Sequence, residues 1–166
     1  MIRLAIVVML ATAACGPGVP GGPTMNSKMG GNDLGPPQPS SVISTDILAR
    51  EPIANSAQAK HILIAWKDLE ESYQGHMDAR AAKRSKADAE TAVKQVLELL
   101  KGGADFDAMM KQYSEDPGSA STGRAYNVTP DAGLVIEFRQ LTLRLHVNEI
   151  GVCQSDYGFH IIKRVE

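Results

Sequence analysis

From Ala59 to Trp66 the chain reads A-K-H-I-L-I-A-W, a run rich in branched residues. In an extended strand, alternation puts His61, Leu63 and Ala65 on one face and Ile62, Ile64 and Trp66 on the other. A polar stretch, 67–84, follows, and then the rhythm changes. Ala89, Val93, Val96, Leu97 and Leu100 recur at helical spacing, with Ser85 and Asp88 as a capping pair and Gly102-Gly103 as the stop. Asp105 caps a second, shorter helix through Tyr113, with Phe106, Met109 and Met110 as its inward residues. Residues 114–122 read as a loop and 123–128 as a short strand. Thr129-Pro130-Asp131 opens a further helix carrying Leu134, Phe138, Leu141 and Leu145 on one face. Residues 149–155 read as a strand, Asp156-Tyr157-Gly158 as a tight turn, and 159–165 as the closing strand. Strand, two or three helices, strand, helix, strand, strand predicts an α+β fold: a four-stranded sheet covered by helices.

Upstream, these rhythms are missing. Met1–Cys15 places Arg3 before an apolar run from Leu4 to Leu10, which is too short to span a bilayer and is laid out like an export signal. Thr12-Ala13-Ala14 before Cys15 resembles the lipobox of bacterial lipoproteins, although Thr12 stands where Leu is commonest. The resemblance implies that Cys15 carries a lipid and becomes the mature N-terminus. Gly16, standing where Asp often retains lipoproteins at the inner membrane, favours an outer membrane facing the periplasm. An ordinary cleaved signal with a chance cysteine fits the same residues. Residues 16–55 are dense in Gly, Pro, Ser and Asn and predict a flexible tether with a reach of roughly 35 Å. The expected layout is a signal over 1–15, a tether over 16–55 and a folded domain over 56–166.

Composition narrows the function. With 166 residues there is room for one domain and hardly for two. A formal net charge of −2 and 5% aromatic residues argue against nucleic acid as a partner. With Cys15 lipidated, Cys153 has no intramolecular mate and reads as a small buried strand residue. His76 and His146 lack Cys, Asp or Glu at ligand spacing, so neither a metal nor another cofactor is expected.

Four segments in order carry a further resemblance: K-H-I-L-I, then L-L-K-G-G-A-D-F-D-A-M-M-K-Q-Y-S-E-D-P-G-S-A, then E-F, then Y-G-F-H-I-I-K-R-V-E. Together, over Ala59–Glu166, they resemble the parvulin family of peptidyl-prolyl isomerases. The resemblance implies that His61 and His160 are paired active-site histidines and that Asp116 holds a position that is Cys or Asp in the family. It further implies that Leu134 and Phe138 hold the proline ring and that Tyr157, where other members carry a hydroxyl residue or an aromatic, joins the catalytic set. The family's Gly-Gly-Asp-Leu-Gly-like run is here Thr122-Gly123-Arg124-Ala125-Tyr126, which puts Ala125 where a Leu usually closes the proline pocket. The loop after the first strand mixes Lys67, Arg80, Lys83 and Arg84 with Asp68, Glu70, Glu71 and Asp78, so no preference for phosphorylated substrates is inferred.

Isomerisation fits such a residue set. The barrier of about 18–20 kcal/mol is the loss of amide conjugation; no bond breaks, and no nucleophile is needed. A site that binds the twisted amide better than either planar form suffices. Other readings of the same residues remain: Asp116 before Pro117 also suits a turn, and Leu134 and Phe138 also suit a core. The expected function is a membrane-anchored, monomeric isomerase acting on proline-containing exported polypeptides. The alternatives are a chaperone of the same fold without turnover and a scaffold lipoprotein that works through the mixed-charge loop.

Overall fold

A computed structural model describes residues 40–166. The export signal, Cys15 and residues 16–39 of the expected tether lie outside the described residues. The sheet has four strands: β1 (Ala57–Ile64), β2 (Tyr126–Val128), β3 (Ile150–Ser155) and β4 (Gly158–Arg164). They lie in the order β2-β1-β4-β3, each pair antiparallel. The helices are α1 (Thr45–Leu48), α2 (Lys86–Lys101), α3 (Phe106–Tyr113), α4 (Pro117–Thr122) and α5 (Ile136–Thr142), with two 3₁₀ segments, Lys67–Tyr73 and Ala81–Lys83. This is the α+β architecture that the rhythm of apolar positions implies.

The alternation in β1 sorts the core. Ile62, Ile64 and Trp66, with Val152, Phe159 and Ile161, pack against Ala89, Val93 and Val96 of α2 and Phe106 and Met110 of α3. Ser85 and Asp88 form a reciprocal capping box on α2, and Asp105 caps α3 by accepting from the Ala108 N–H. On the opposite face, Ala57, Ala59, Val128, Cys153 and Ile162 meet Ile47, Phe138, Leu141 and Leu145. The layers there are close. A Cβ on Gly151 would stand 3.1–3.2 Å from Leu145, Ile47 and Leu141.

Three sequence expectations change. First, the tether does not extend to residue 55. Val42 and Ile47 are buried, and Ser44 makes two bonds to Val152 of β3: its N–H donates to the carbonyl, and its Oγ accepts from the Val152 N–H, both at 2.9 Å. The folded unit therefore starts upstream of the boundary expected at residue 56, because burying two apolar side chains fixes a segment whose composition is otherwise loop-like. Second, residues 117–122 form α4 instead of loop; Asp116 caps it, and Pro117 takes the first turn. Third, the helix expected from Thr129 begins only at Ile136, so Leu134 projects from the preceding loop. Thr129 Oγ1 bonds to the Asp131 carboxylate, holding this stretch in a turn.

Candidate active site

His61 leaves the middle of β1, and His160 leaves β4, on the face that looks toward α5. Their Nδ1 atoms are 3.1 Å apart and their rings stack nearly parallel, at 17°. His61 Nε2 lies 2.9 Å from Asp116 Oδ2, and His160 Nε2 lies 2.7 Å from Ser155 Oγ, which also accepts from the Tyr157 N–H at 3.1 Å. With both rings neutral the bonds run one way. Tyr157 N–H donates to Ser155, Ser155 to His160, His160 to His61, and His61 to the carboxylate. Gly158 makes the turn possible. Its φ is +133°, and a Cβ would come within 2.6 Å of the Ile64 carbonyl.

Asp116 is the hub of the cluster. Ser119 Oγ and the Tyr126 hydroxyl donate to Oδ2 at 2.5 and 3.0 Å, and the Gly118 N–H donates to Oδ1 at 3.1 Å. The bond from His61 leads these contacts in holding the carboxyl far below its ordinary range, against the opposing effect of burial. Burial, then the neighbouring His61, pushes His160 down to about 3, so it stays neutral at physiological pH.

Beside the histidines opens a cavity of about 250 Å³ lined by His61, Tyr126, Gly133, Leu134, Val135, Phe138, Tyr157 and His160. The Phe138 ring meets both imidazoles edge-on, at 5.2 and 5.8 Å between centroids. The structure thus gathers His61, His160, Tyr157, Leu134 and Phe138 around one hollow, with Asp116 behind it. Ala125 is not among the lining residues. Tyr126, paired across from Ala59, faces the His61 side, and Ala125 precedes it out of phase. The expected small wall is therefore an aromatic one.

Residues 45–166 match the PPIC-type PPIase (peptidyl-prolyl isomerase) domain. The chain belongs to this family. Similar proteins include the foldase protein PrsA of Geobacillus kaustophilus, 30% identical over 79% of this chain and 47% of the relative. The chaperone SurA of Pseudomonas aeruginosa is 36% identical over 48% of this chain and 19% of the relative. The chain spans less than half the length of these curated relatives. The solution structure of TbPIN1 shares the fold, with a TM-score of 0.57 at 20% identity over 69% of this chain and 100% of that one.

Within the PPIC-type frame, several neighbours of the site escaped sequence reasoning. Ser119 and Ser155 are buried hydroxyls that complete the polar chain, and Tyr126 supplies both a wall and a bond. Tyr126 had a legible signal: alternation in a three-residue strand puts it in phase with Val128, a buried residue. The two serines had none, since serine in a loop or at the end of a strand is ordinary. The polar stretch after β1 also reaches the site, because the Tyr73 hydroxyl donates to the Tyr157 carbonyl at 2.5 Å. Arg80 and Arg84 of that stretch turn inward to Glu115, at 3.7 and 2.7 Å, instead of projecting over the hollow.

Proposed function

We propose that this domain catalyses cis–trans isomerisation of X–Pro bonds in exported polypeptides, held at the cell envelope by a lipid on Cys15. The observation that carries the reading is the hollow walled in part by the buried His61 and His160, with Asp116 bonded to His61 behind it. A proline ring seated on Phe138, Leu134 and Val135 would be gripped and dried. As the amide twists, density returns from the carbonyl oxygen to nitrogen, and the bond becomes less polar. A site poor in water favours that state over the conjugated, well-solvated one. The fixed dipoles of Tyr126 and the histidines are already oriented and need no rearrangement during the twist.

Nucleophilic attack is not part of this account. Asp116 is bonded on both oxygens, and Cys153 lies buried in the core, its thiol pushed well up by burial. The envelope location, with the outer membrane favoured by Gly16, the exported clients and the monomeric state are parts of the same proposal. They draw support from the sequence of residues 1–16 and from the PrsA and SurA likeness. The test is an isomerisation assay of the full chain in uncharged detergent, using proline peptides that vary in the preceding residue. Acceleration that disappears with Asp116→Asn and Phe138→Ala is the expected result. Binding without acceleration across the panel would favour a chaperone of the same fold.

A further inference from the structure

On the other side of α5 from the sheet, a groove of about 350 Å³ runs between that helix and residues 52–55. Its helical wall is the stripe Ile136, Arg139, Gln140 and Leu143, spaced at three, four and seven from the first residue. Pro52 and Ala54 form part of the other wall, and Pro130 closes one end. The lining mixes apolar and polar side chains, and Ile136 stands open, 53% exposed.

The groove also carries positive charge. Arg139 Nη1 donates to the Pro130 carbonyl. Arg144 donates through Nε to the Arg50 carbonyl at 2.6 Å and through Nη1 to the Gln140 carbonyl at 2.9 Å. Carbonyls fix the two guanidiniums without neutralising them, and among the described residues neither forms an ion pair. Asp131 feels the charge of Arg139, yet its carboxylate bonds to Thr129. The loop and helix from Pro130 to Phe138 separate this groove from the proline hollow and line both. One helix diameter, about 10 Å, is some three residues of extended chain.

We propose that this groove is a second subsite for the same client chain, taking an acidic stretch with interspersed apolar residues about three residues from the proline. The inference rests on the isomerase reading of the neighbouring hollow. Complementary charge would then select clients, and the fixed arginines would lose little freedom on binding.

Fluorescence anisotropy with the full chain in uncharged detergent tests the idea. The probes are Ala-Ala-Pro-Ala-Ala peptides bearing Glu-Leu-Glu, Lys-Leu-Lys or no extension, placed before or after the core. On at least one flank the Glu peptide should bind about three- to tenfold more tightly than the Lys peptide, the sum of two half-exposed charge contacts. The preference should collapse in about 1 M salt. Arg139→Gln with Arg144→Gln, or Ile136→Asp at its exposed position, should abolish it. Equal affinity for Glu and Lys peptides on both flanks of the wild type overturns the subsite without reference to any variant. Displacement of the Glu peptide by phosphatidylglycerol vesicles, but not by phosphatidylcholine vesicles, would overturn it in favour of a membrane-facing surface. Isomerisation of the unextended peptide is read alongside. Its failure with the Glu preference intact sinks the enzymatic reading alone, and a normal rate with no preference sinks the subsite alone.

Discussion

The two faces of the sheet are built from alternating residues of the same strands, yet they behave as different materials. Toward α2 and α3 the strands present Ile62, Ile64, Val152, Phe159 and Ile161, a dry aliphatic and aromatic layer. Toward α5 the same strands present His61, His160 and Ser155 amid apolar residues, and every bond among them is spent on a neighbour within the chain. A fully satisfied polar chain can be buried without the penalty of an orphaned group. One face can thus be optimised for packing while the other keeps fixed dipoles beside an open hollow. The division lets chemistry vary without rewriting the core.

The largest effects should separate the two faces. Met110→Ala on the dry side should lower unfolding free energy by about 2–5 kcal/mol, as for large-to-small changes in packed cores. The activity of the protein that remains folded should not change. Phe138→Ala should lower stability by about 3–5 kcal/mol and also raise KM, because the same ring lines the hollow. Urea denaturation beside steady-state kinetics reads both; a raised KM in Met110→Ala would break the division.

Asp116→Asn is sharper. Asparagine caps a helix as well as aspartate does, so α4 keeps its start. What goes is the charge that receives the His61 bond, and kcat should fall about 10- to 100-fold with a smaller change in KM. An unchanged kcat in the folded variant would remove the carboxylate from the mechanism.

A smaller effect appears in the pH dependence of stability. His160 is held to about 3 in the fold against about 6.5 when unfolded. As pH falls below 6.5, the unfolded chain takes up a proton that the native ring refuses, and stability declines. Asp116 acts in another window. Its lowered pKa supports the fold above about 4, and that support is lost only in more acidic solution. Glu115, raised chiefly by burial, gains stability as pH falls and so opposes both. Thermal melts from pH 7 to 5 should therefore slope downward in the wild type and flatten in a folded His160→Gln variant. Equal slopes would deny His160 this part. The smallest effect is expected from Ala125→Leu, which should shift KM by no more than about twofold, since Ala125 lies off the lining of the hollow; a larger change would restore it to the pocket wall.

Much of this was legible in the residues. The alternation in β1 placed His61 opposite the Ile62 and Ile64 face, and Ser85, Asp88 and Asp105 marked two helix starts. Short elements resisted, because a helix of four to seven residues shows at most two turns of periodicity. That is why α1 looked like tether, α4 like loop, and α5 seemed to begin too early. The histidines and Phe138 stood out through family likeness in ordered segments. Ser119 and Ser155 bond to near neighbours in the chain, Asp116 and His160, but only once the α4 and β3–β4 turns have formed, while Tyr73 depends on a contact across the fold with Tyr157.

Ser44 has one more consequence. Strand β3 ends the sheet, and its outer backbone groups would be free to pair with any passing strand. The two bonds between Ser44 and Val152 occupy part of that row, and Ile47 packs beneath it. The segment ahead of β1 thus acts as a hem along the edge of the sheet. A chain trimmed to residue 56 would carry an unhemmed border beside a surface stripped of Val42 and Ile47. Its first failure would be self-association, edge to edge.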